Sequence, residues 1–378
     1  MSTKPRQPKI CFFLGTRPEA IKLAPVIISM KQANYNVQVV NTNQQEITKN
    51  FLKAFSIKTD FDLSVVNHGL SPAEYFIKMY SAIDLFVKTQ DVHFVFVHGD
   101  TTTAFATALA CFLNGIRFAH VEAGLRTFDL SNPFPEEGFR VVIDDLATLK
   151  FAPTDISVAQ ICNKENCFVT GNTGIDSLRI ANNMFRDKHP YPEKFVEEKY
   201  GLSTGYILVT LHRRESFGDY HQRIFDNIKS NPQFNYVVQV HPNPGVAIPL
   251  RQSLSNLKNV MLIEPQPYLD FIGLMVCAAA ILTDSGGIQE EATAMNVPLL
   301  IARENTERPE VLTKNNSFIV GDSAEKLHKA LKELEVSIDL TQRTFRPCPV
   351  GDGYAAHRIV NIFENFDCYR DSNIQNGR

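Results

Sequence analysis

The sequence predicts an α/β protein with two doubly wound domains, each built on a parallel sheet that helices cover on both faces. Short apolar runs bounded by turn residues alternate with helical patterns along the chain. Strands that are separated by helices need crossover connections, which produce parallel sheets. The alternation weakens into a charged, proline-containing stretch and then begins again, so we expect a domain boundary there. A length of 378 residues also suits two cores better than one.

We therefore predict a first domain over residues 1–174, a linker over 175–204, a second domain over 205–353 and a last helix over 354–378. We expect this last helix to cross back onto the first domain. The predicted strands of the first domain are ICFFL, VQVVNT, FVFVH, FAHVE, LKFAP and CFVTG. Those of the second are YILVTLH, YVVQVH, VMLIE, AAILTDSGG, VPLLIA and SFIVG.

Charge and cysteine content narrow the class of protein. A net charge of -3 and a pI of about 6.4 give no general basic field, so we expect neither nucleic-acid nor membrane partners. The seven cysteines are scattered without CxxC spacing, which indicates thiols in a reducing compartment and no zinc site. The amino-terminal stretch is polar and precedes only a five-residue apolar run, so we expect a cytoplasmic protein.

Charged side chains follow the predicted strands of the first domain. Arg17 and Lys22 come after the first strand, Asp100 follows FVFVH and Glu122 ends FAHVE. Because ligands bind at the carboxyl ends of parallel strands, we expect these groups, with Glu136, on one rim. The glycine turn before Arg17 suits phosphate, although solvated helix-start cations are the alternative. Asp100 could equally be a helix N-cap.

The stretch SNPFPEEGFR places two adjacent carboxylates, Glu136 and Glu137, after two prolines. A helix start explains this pattern by itself, because proline and acidic side chains both favour the first helical turn. The alternative is acid-base chemistry by these carboxylates.

In the second domain, ILTDSGGIQEEA is the most informative segment. Ser285, Gly286 and Gly287 lie between a strand and a helix, where exposed N–H groups and the helix dipole suit a diphosphate. Glu291 follows about one turn later and suits ribose hydroxyls. Phe271 offers a face for a base, although an apolar helix stripe explains it as well. These features together indicate a nucleoside diphosphate.

Histidines and arginines end two other strands of the second domain. His212, Arg213 and Arg214 follow YILVTL, and His241 follows YVVQV. A lone histidine at a strand end is commonly structural, but this set in one cleft is consistent with anion binding or proton transfer. The sequence contains neither GxGxxG nor GxxxxGK[ST], so no dinucleotide or Walker-type site is predicted.

These motifs, taken in order, resemble the bacterial non-hydrolysing UDP-N-acetylglucosamine 2-epimerases. The resemblance extends over almost the whole chain. It is carried by GTRPEAIKLAP, HGDTTT, HVEAGLRT, PEE, TGNT, HRRESFG, LTDSGGIQEEA, TERPE and GDG.

The resemblance implies a GT-B-like fold, two Rossmann-like domains with a cleft between them, usually in a homodimer. It implies exchange of UDP-GlcNAc and UDP-ManNAc by elimination and re-addition of UDP, without a metal or cofactor. ManNAc made in this way would supply surface polysaccharide such as capsule. The residues implied in chemistry are Lys22, Asp100, Glu122, Glu136 and His212. The residues implied in UDP-sugar binding are Arg17, Phe271, Ser285, Gly286, Gly287, Glu291, Arg308 and His241, together with His212.

Two segments depart from the family pattern. NTNQQEITKNFL lacks the usual His and Arg, and PFPEEGFR has Phe134 and Phe139 where the family has Trp and Asn. In the family these segments form a second, allosteric UDP-GlcNAc site, so Arg213, Arg214 and Glu137 would be its remnant here. The departures leave open a hydrolysing epimerase that releases ManNAc and UDP, or a modified UDP-sugar. A GT-B glycosyltransferase is a weaker alternative.

Overall fold

The computed structural model describes residues 8–44, 47–65, 69–211, 219–306, 308–312, 316–334 and 343–366. Its described residues divide into two compact units. The first takes in the residues up to Ser177 and from Gly353 onward, and the second runs from Leu178 to Asp352. His212, Arg213 and Arg214 lie outside the described residues.

The first unit is built on a parallel sheet of seven strands in the order β3-β2-β1-β4-β5-β6-β7. Its strands are β1 (Lys9–Leu14), β2 (Asn36–Asn41), β3 (Phe61–Asp62), β4 (Phe94–His98), β5 (Arg117–Val121), β6 (Leu149–Ala152) and β7 (Cys167–Val169). Its helices are α1 (Arg17–Gln32), α2 (Ile47–Ala54), α3 (Pro72–Thr89), α4 (Thr102–Leu113), α5 (Glu136–Leu146), α6 (Asp155–Gln160), the start of α7 (Thr173–Lys188) and α14 (Ala355–Asn365).

The last helix, α14, belongs to the first unit. Asp176 accepts hydrogen bonds from the N–H groups of Ala355 and Ala356, at 3.1 and 2.8 Å, at the first turn of α14. Further along, the Phe363 ring packs against Phe94 and Phe96 of the sheet, with ring centres 4.9 and 5.4 Å apart. An aromatic layer and a buried helix cap therefore fix this helix.

The second unit has a parallel sheet of six strands in the order β10-β9-β8-β11-β12-β13. The strands are β8 (Ile207–Thr210), β9 (Tyr236–Gln239), β10 (Val260–Ile263), β11 (Ala280–Thr283), β12 (Leu299–Ile301) and β13 (Ser317–Ile319). The helices are α8 (Pro192–Tyr200), α9 (Asp219–Lys229), α10 (Pro244–Leu254), α11 (Tyr268–Cys277), α12 (Gly286–Ala294), α13 (Ala324–Leu334) and a 3-10 turn at Pro309–Val311.

The predicted α/β class with two parallel sheets is confirmed. Every strand predicted from an apolar run is present in the structure. The pattern missed β3, since two residues are too short to produce an apolar run. Within the described residues, no helix combines the length and hydrophobicity needed to cross a membrane.

The strand order of each sheet reverses direction at one place, which positions the candidate site. In the first unit the reversal lies between β1 and β4, and in the second between β8 and β11. At such a reversal the loops leave on opposite faces and open a crevice at the carboxyl ends of the strands. The motifs that follow β1, β4 and β11 therefore start at these two crevices.

Candidate active site

A buried carboxylate joins the two turns at the crevice of the first unit. Glu19 accepts hydrogen bonds from the N–H groups of Gly15 and Thr16, at 2.9 and 2.7 Å, and from the Thr16 hydroxyl at 2.8 Å. Its other oxygen accepts from the Thr101 hydroxyl, at 2.5 Å, in the turn after β4. Glu19 therefore uses the N–H groups that the sequence analysis proposed for phosphate, and an anion here would depend on the Arg17 side chain.

Glu122 lies at the end of β5 between two basic side chains. The Lys22 ammonium forms an ion pair with Glu122 Oε1, and His98 Nε2 is 3.2 Å from Oε2. The backbone of Glu122 is left-handed, with φ of +70°. This conformation is uncommon outside glycine and carries strain that the surrounding contacts must offset.

His98 is buried beside this ion pair. Burial lowers the pKa of His98 well below its ordinary value, and the nearby charge of Lys22 and the His120 ring lower it further. The ring is therefore neutral at pH 7. Among the described residues, neither ring nitrogen has an aligned hydrogen-bond partner, although buried polar groups are normally paired. The polar contact of His98 with the ion pair is the 3.2 Å approach of Nε2 to Glu122 Oε2.

The two adjacent carboxylates at the start of α5 have different environments. Glu137 is fully buried and accepts from Arg126 Nε at 2.7 Å and from the N–H groups of Thr127 and Phe128 at 3.0 and 3.1 Å. Burial acts to raise the pKa of Glu137, but these hydrogen bonds outweigh it and the pKa lies below its ordinary value. Glu137 is a structural anion that holds the loop before α5.

Glu136 retains a buried oxygen, Oε2, that has no hydrogen-bond partner among the described residues. One helical turn later, Arg140 donates to Asp100 Oδ2 from Nε at 2.7 Å and contacts it from Nη2 at 2.6 Å. Residues four apart lie on the same face of a helix, so Glu136 and the Arg140–Asp100 pair share one face of α5. Asp100 is not the N-cap of α4, because Thr101 holds that position.

In the second unit, α12 begins without a side-chain cap. Ser285 occupies the N-cap position, yet its hydroxyl makes no capping hydrogen bond, in contrast to Thr16 in α1 and Thr101 in α4. A side chain added at Gly287 would meet nothing within 4 Å. The N–H groups and the positive dipole end of α12 can therefore receive an anion.

Other predicted ligand residues surround α12 or lie elsewhere in the second unit. Glu291 is buried and accepts a hydrogen bond from the Tyr268 hydroxyl at 2.9 Å, and Arg308 Nε donates to Glu290 at 2.5 Å. His241 Nδ1 accepts the Asn243 N–H at 3.0 Å. The Phe271 side chain is only 4% exposed, which fits an apolar helix stripe better than a stacking surface.

The sequence analysis missed two groups that organise this site. Glu19 could have been found from the capping-box pattern Thr16 to Glu19 before an apolar helix. Arg140 had no comparable signal, because its partner Asp100 is 40 positions away. In the part of the chain that the structure describes, no cluster of three or more His, Cys, Asp or Glu side chains is placed to hold a metal ion.

We expect Gly15→Ala to destabilise the first unit. The added methyl group would overlap Thr42 Oγ1 and lie 2.7 Å from Thr103 Oγ1. Overpacking of this kind costs about 1 to 3 kcal/mol, measured by urea unfolding. Gly138→Ala is the matched control, because nothing lies within 4 Å of that site in α5. It should leave stability unchanged or raise it by about 0.5 to 1 kcal/mol, as helix propensity predicts. Equal losses in both variants would contradict the steric argument.

Glu19→Gln should change how stability depends on pH. Burial raises the pKa of Glu19, although hydrogen bonds from Thr101, Gly15 and Thr16 act to lower it. The stability contributed by its protonation is complete below the ordinary carboxyl pKa and is lost as pH rises through the raised value. The uncharged amide has no such loss, so urea unfolding should favour the variant increasingly as pH rises.

Glu74→Gln is the control for this measurement. Glu74 occupies the same capping-box position in α3 but is exposed, and hydrogen bonds from Ser71 lower its pKa. Its stabilisation is present above the ordinary carboxyl pKa, so the amide variant should lose stability there. Identical pH profiles for Glu19→Gln and the wild type would contradict the assigned burial effect.

Comparison with known proteins agrees with this geometry. Residues 29–364 match the sequence model of the UDP-N-acetylglucosamine 2-epimerase family. A UDP-N-acetylglucosamine 2-epimerase from Campylobacter jejuni is 38% identical over 370 residues, which cover 94% of this chain and 97% of that protein. The Escherichia coli K12 enzyme is 38% identical over 374 residues, covering 94% and 98%.

Solved structures give the same result. The Neisseria meningitidis UDP-GlcNAc 2-epimerase bound to UDP-GlcNAc superimposes with a TM-score of 0.84 at 35% identity, covering 94% of this chain and all of that one. The Methanocaldococcus jannaschii enzyme in complex with UDP-GlcNAc and UDP has a TM-score of 0.79 at 32% identity, covering 94% and 99%. These matches confirm the predicted GT-B-like fold. The chain belongs to the UDP-N-acetylglucosamine 2-epimerase family and is an isomerase.

Proposed function

We propose that this enzyme interconverts UDP-GlcNAc and UDP-ManNAc by anti-elimination of UDP and re-addition to a 2-acetamidoglucal. One group removes the weakly acidic C2 proton while the bond to UDP breaks. A second group delivers a proton to the opposite face of C2 as UDP returns. Such proton transfers need positioned carboxylates or histidines near the sugar.

The observation that carries this proposal is the buried, unpartnered oxygen of Glu136, one helical turn before the Arg140 that pairs with Asp100. Asp100 is paired with Arg140, and Glu122 with Lys22. Removal of a C2 proton requires an acceptor with a free lone pair, which Glu136 supplies. We assign proton transfer to these three carboxylates, and Lys22 acts as the cation that holds Glu122.

We propose that UDP binds to the second unit. The N–H groups at the start of α12, with Ser285, Gly286 and Gly287, would hold the diphosphate, and Glu291 would bind the ribose hydroxyls. Negative charge grows on the diphosphate as UDP leaves, so donors fixed there stabilise the transition state. The remaining proposed contacts with UDP are those of Arg17, Arg308, His241 and His212. Because its side chain is buried, Phe271 would contribute through its backbone.

A proton and phosphorus NMR time course with UDP-GlcNAc in deuterated water tests the reaction. UDP-ManNAc that carries deuterium at C2, with the diphosphate intact, is the expected product. Free ManNAc with stoichiometric UDP would show a hydrolysing enzyme instead. An unchanged spectrum would reject this substrate and leave a modified UDP-sugar or a glycosyltransferase.

Single substitutions then test the carboxylates. Glu136→Gln, Glu122→Gln and Asp100→Asn should each lower kcat by about 10²- to 10⁴-fold, the usual range for general acid-base groups. UDP affinity should change little, because none of these three carboxylates is among the proposed UDP contacts. Asp145→Asn, an exposed carboxylate on the same helix, is the control. A carboxylate whose loss changes KM but not kcat is a binding group only.

We further propose that allosteric activation by UDP-GlcNAc is altered or absent. Phe139, which stands where the family has Asn, stacks on Phe105 with ring centres 4.3 Å apart. Glu137 is fully occupied by structural contacts, and the Gln44 side chain accepts a hydrogen bond from Thr103 at 2.9 Å. A hyperbolic rate curve for UDP-GlcNAc is expected. Activation of UDP-ManNAc turnover by added UDP-GlcNAc would refute this proposal.

We propose a homodimer that uses helices α3 and α4. Four apolar side chains on these two packed helices are 57% to 66% exposed, which is unusual for a monomer: Ile77 and Leu85 of α3, and Phe112 and Leu113 of α4. Leu113→Asp should convert a dimer to a monomer in sedimentation experiments, whereas Leu130→Asp, in the loop before α5, should not. A monomeric wild type would refute the dimer.

A cytoplasmic role in supplying ManNAc for surface polysaccharide is also proposed. The thiols of Cys11, Cys111 and Cys277 are buried and unpaired, which suits a reducing compartment. Loss of the gene in its host should remove ManNAc from the cell-surface polymers, measured by sugar analysis. Unchanged polymers would refute this role.

A further inference from the structure

Two of the proposed proton-transfer carboxylates, Asp100 and Glu122, lie in turns that contain a residue with left-handed backbone conformation. Gly99, with φ of +65°, precedes Asp100, and Glu122 itself has φ of +70°. Gly124, with φ of +81°, follows two residues later. Turns of this kind keep their shape only where neighbouring groups hold them.

A buried His–Asp pair contacts both turns. His120 Nε2 lies 2.9 Å from the carbonyl oxygen of Gly99, and His120 Nδ1 lies 2.7 Å from Asp144 Oδ1. The second oxygen of Asp144 accepts the N–H of Gly124 at 3.1 Å. The two side chains are 1% and 2% exposed. Three hydrogen bonds in series therefore link the turn of Asp100 to the turn of Glu122.

Asp144 belongs to the same helical stripe as two other site residues. Glu136, Arg140 and Asp144 are spaced by four residues along α5, so they share one face. Glu136 has the unpartnered oxygen, and Arg140 holds the Asp100 side chain. Asp144 holds the turn of Glu122 directly through the Gly124 N–H and the turn of Asp100 through His120. One rigid helix thus sets the positions of all three carboxylates.

We propose that His120 and Asp144 are positioning residues, which fix the separation of Asp100 and Glu122 without contacting the substrate. This inference rests on the proposed roles of those two carboxylates. Misplacing a catalytic group by about 1 Å can cost about 10²-fold in rate. A pair that only filled the core would affect stability and leave the rate per folded molecule unchanged.

The chemistry of the pair allows a geometric test. In Asp144→Asn, the amide oxygen can accept the Gly124 N–H and the amide NH₂ can donate to His120 Nδ1. A neutral His120 still donates from Nε2 to Gly99, so all three links remain. Asp144→Ala removes two links and leaves the histidine unsupported.

The experiment compares kcat and KM for UDP-GlcNAc in wild type, Asp144→Ala and Asp144→Asn, each corrected for the folded fraction. We expect Asp144→Ala to lower kcat by about 10- to 100-fold, with KM and UDP affinity within about threefold of wild type. Asp144→Asn should recover most of that loss. If Asp144→Ala does not fold, the double variant His120→Phe with Asp144→Leu replaces it, because it removes both polar side chains together and leaves neither of them buried without its partner.

Lys150→Met is the matched control. Lys150 is also 2% exposed, and it donates to the carbonyl oxygens of Ala147 and Glu165 at 3.2 and 2.9 Å, neither of which belongs to the two turns. It should lose stability but keep its kcat per folded molecule. Equal kcat in Asp144→Ala and Lys150→Met, or an Asp144→Asn variant as impaired as Asp144→Ala, would overturn the positioning role.

Amide hydrogen exchange separates this inference from the proposed reaction. Exchange in peptides that cover residues 99–101 and 122–125 should rise in Asp144→Ala and not in Lys150→Met, whether or not UDP-GlcNAc is the substrate. Unchanged exchange there would refute the link between the turns. If the wild type is inactive with UDP-GlcNAc but exchange is faster in Asp144→Ala, only the proposed reaction is refuted.

Discussion

The buried carboxylate of Glu19 is the contact on which the first unit's site depends. It bonds the turn after β1 and the hydroxyl of Thr101 after β4. β1 and β4 are neighbours where the strand order reverses, and the crevice lies between the loops that follow them. Without the contacts of Glu19, these two loops would be held independently. A charged group without water is costly unless several donors surround it. The four donors around Glu19 therefore make the positions of both turns interdependent.

Around that fixed crevice, the acidic groups divide into three kinds. Glu19 and Glu137 are buried and fully hydrogen-bonded, and they hold backbone. Asp100 and Glu122 each have one cation and remain partly exposed. Glu136 has a buried oxygen that no described group contacts. The proposed reaction removes a proton from one carbon and delivers another to it. These two roles call for carboxylates with different surroundings, because surroundings set how strongly each carboxylate holds a proton.

The start of α12 in the second unit differs from the start of α1 in the first. In the first unit a side chain occupies the N–H groups at the start of α1, whereas α12 leaves its own uncapped behind two small residues. The parallel sheets are alike, but only the start of α1 has its N–H groups bonded by a side chain, which is why we propose the diphosphate site at α12. This contrast explains how two similar domains can serve different purposes in one enzyme.

The sequence by itself determined the alternation of strands and helices, the strand-end location of the charged motifs and the family. These features are local, since apolar runs, glycine turns and motif spacing are written in consecutive residues. Only the tertiary structure showed that Glu19 also bonds Thr101, that Phe271 is buried, and which residue Arg140 contacts. The partners Thr101 and Asp100 are 82 and 40 positions away from Glu19 and Arg140 in the sequence, and burial decides whether a carboxylate holds the backbone or remains free to react.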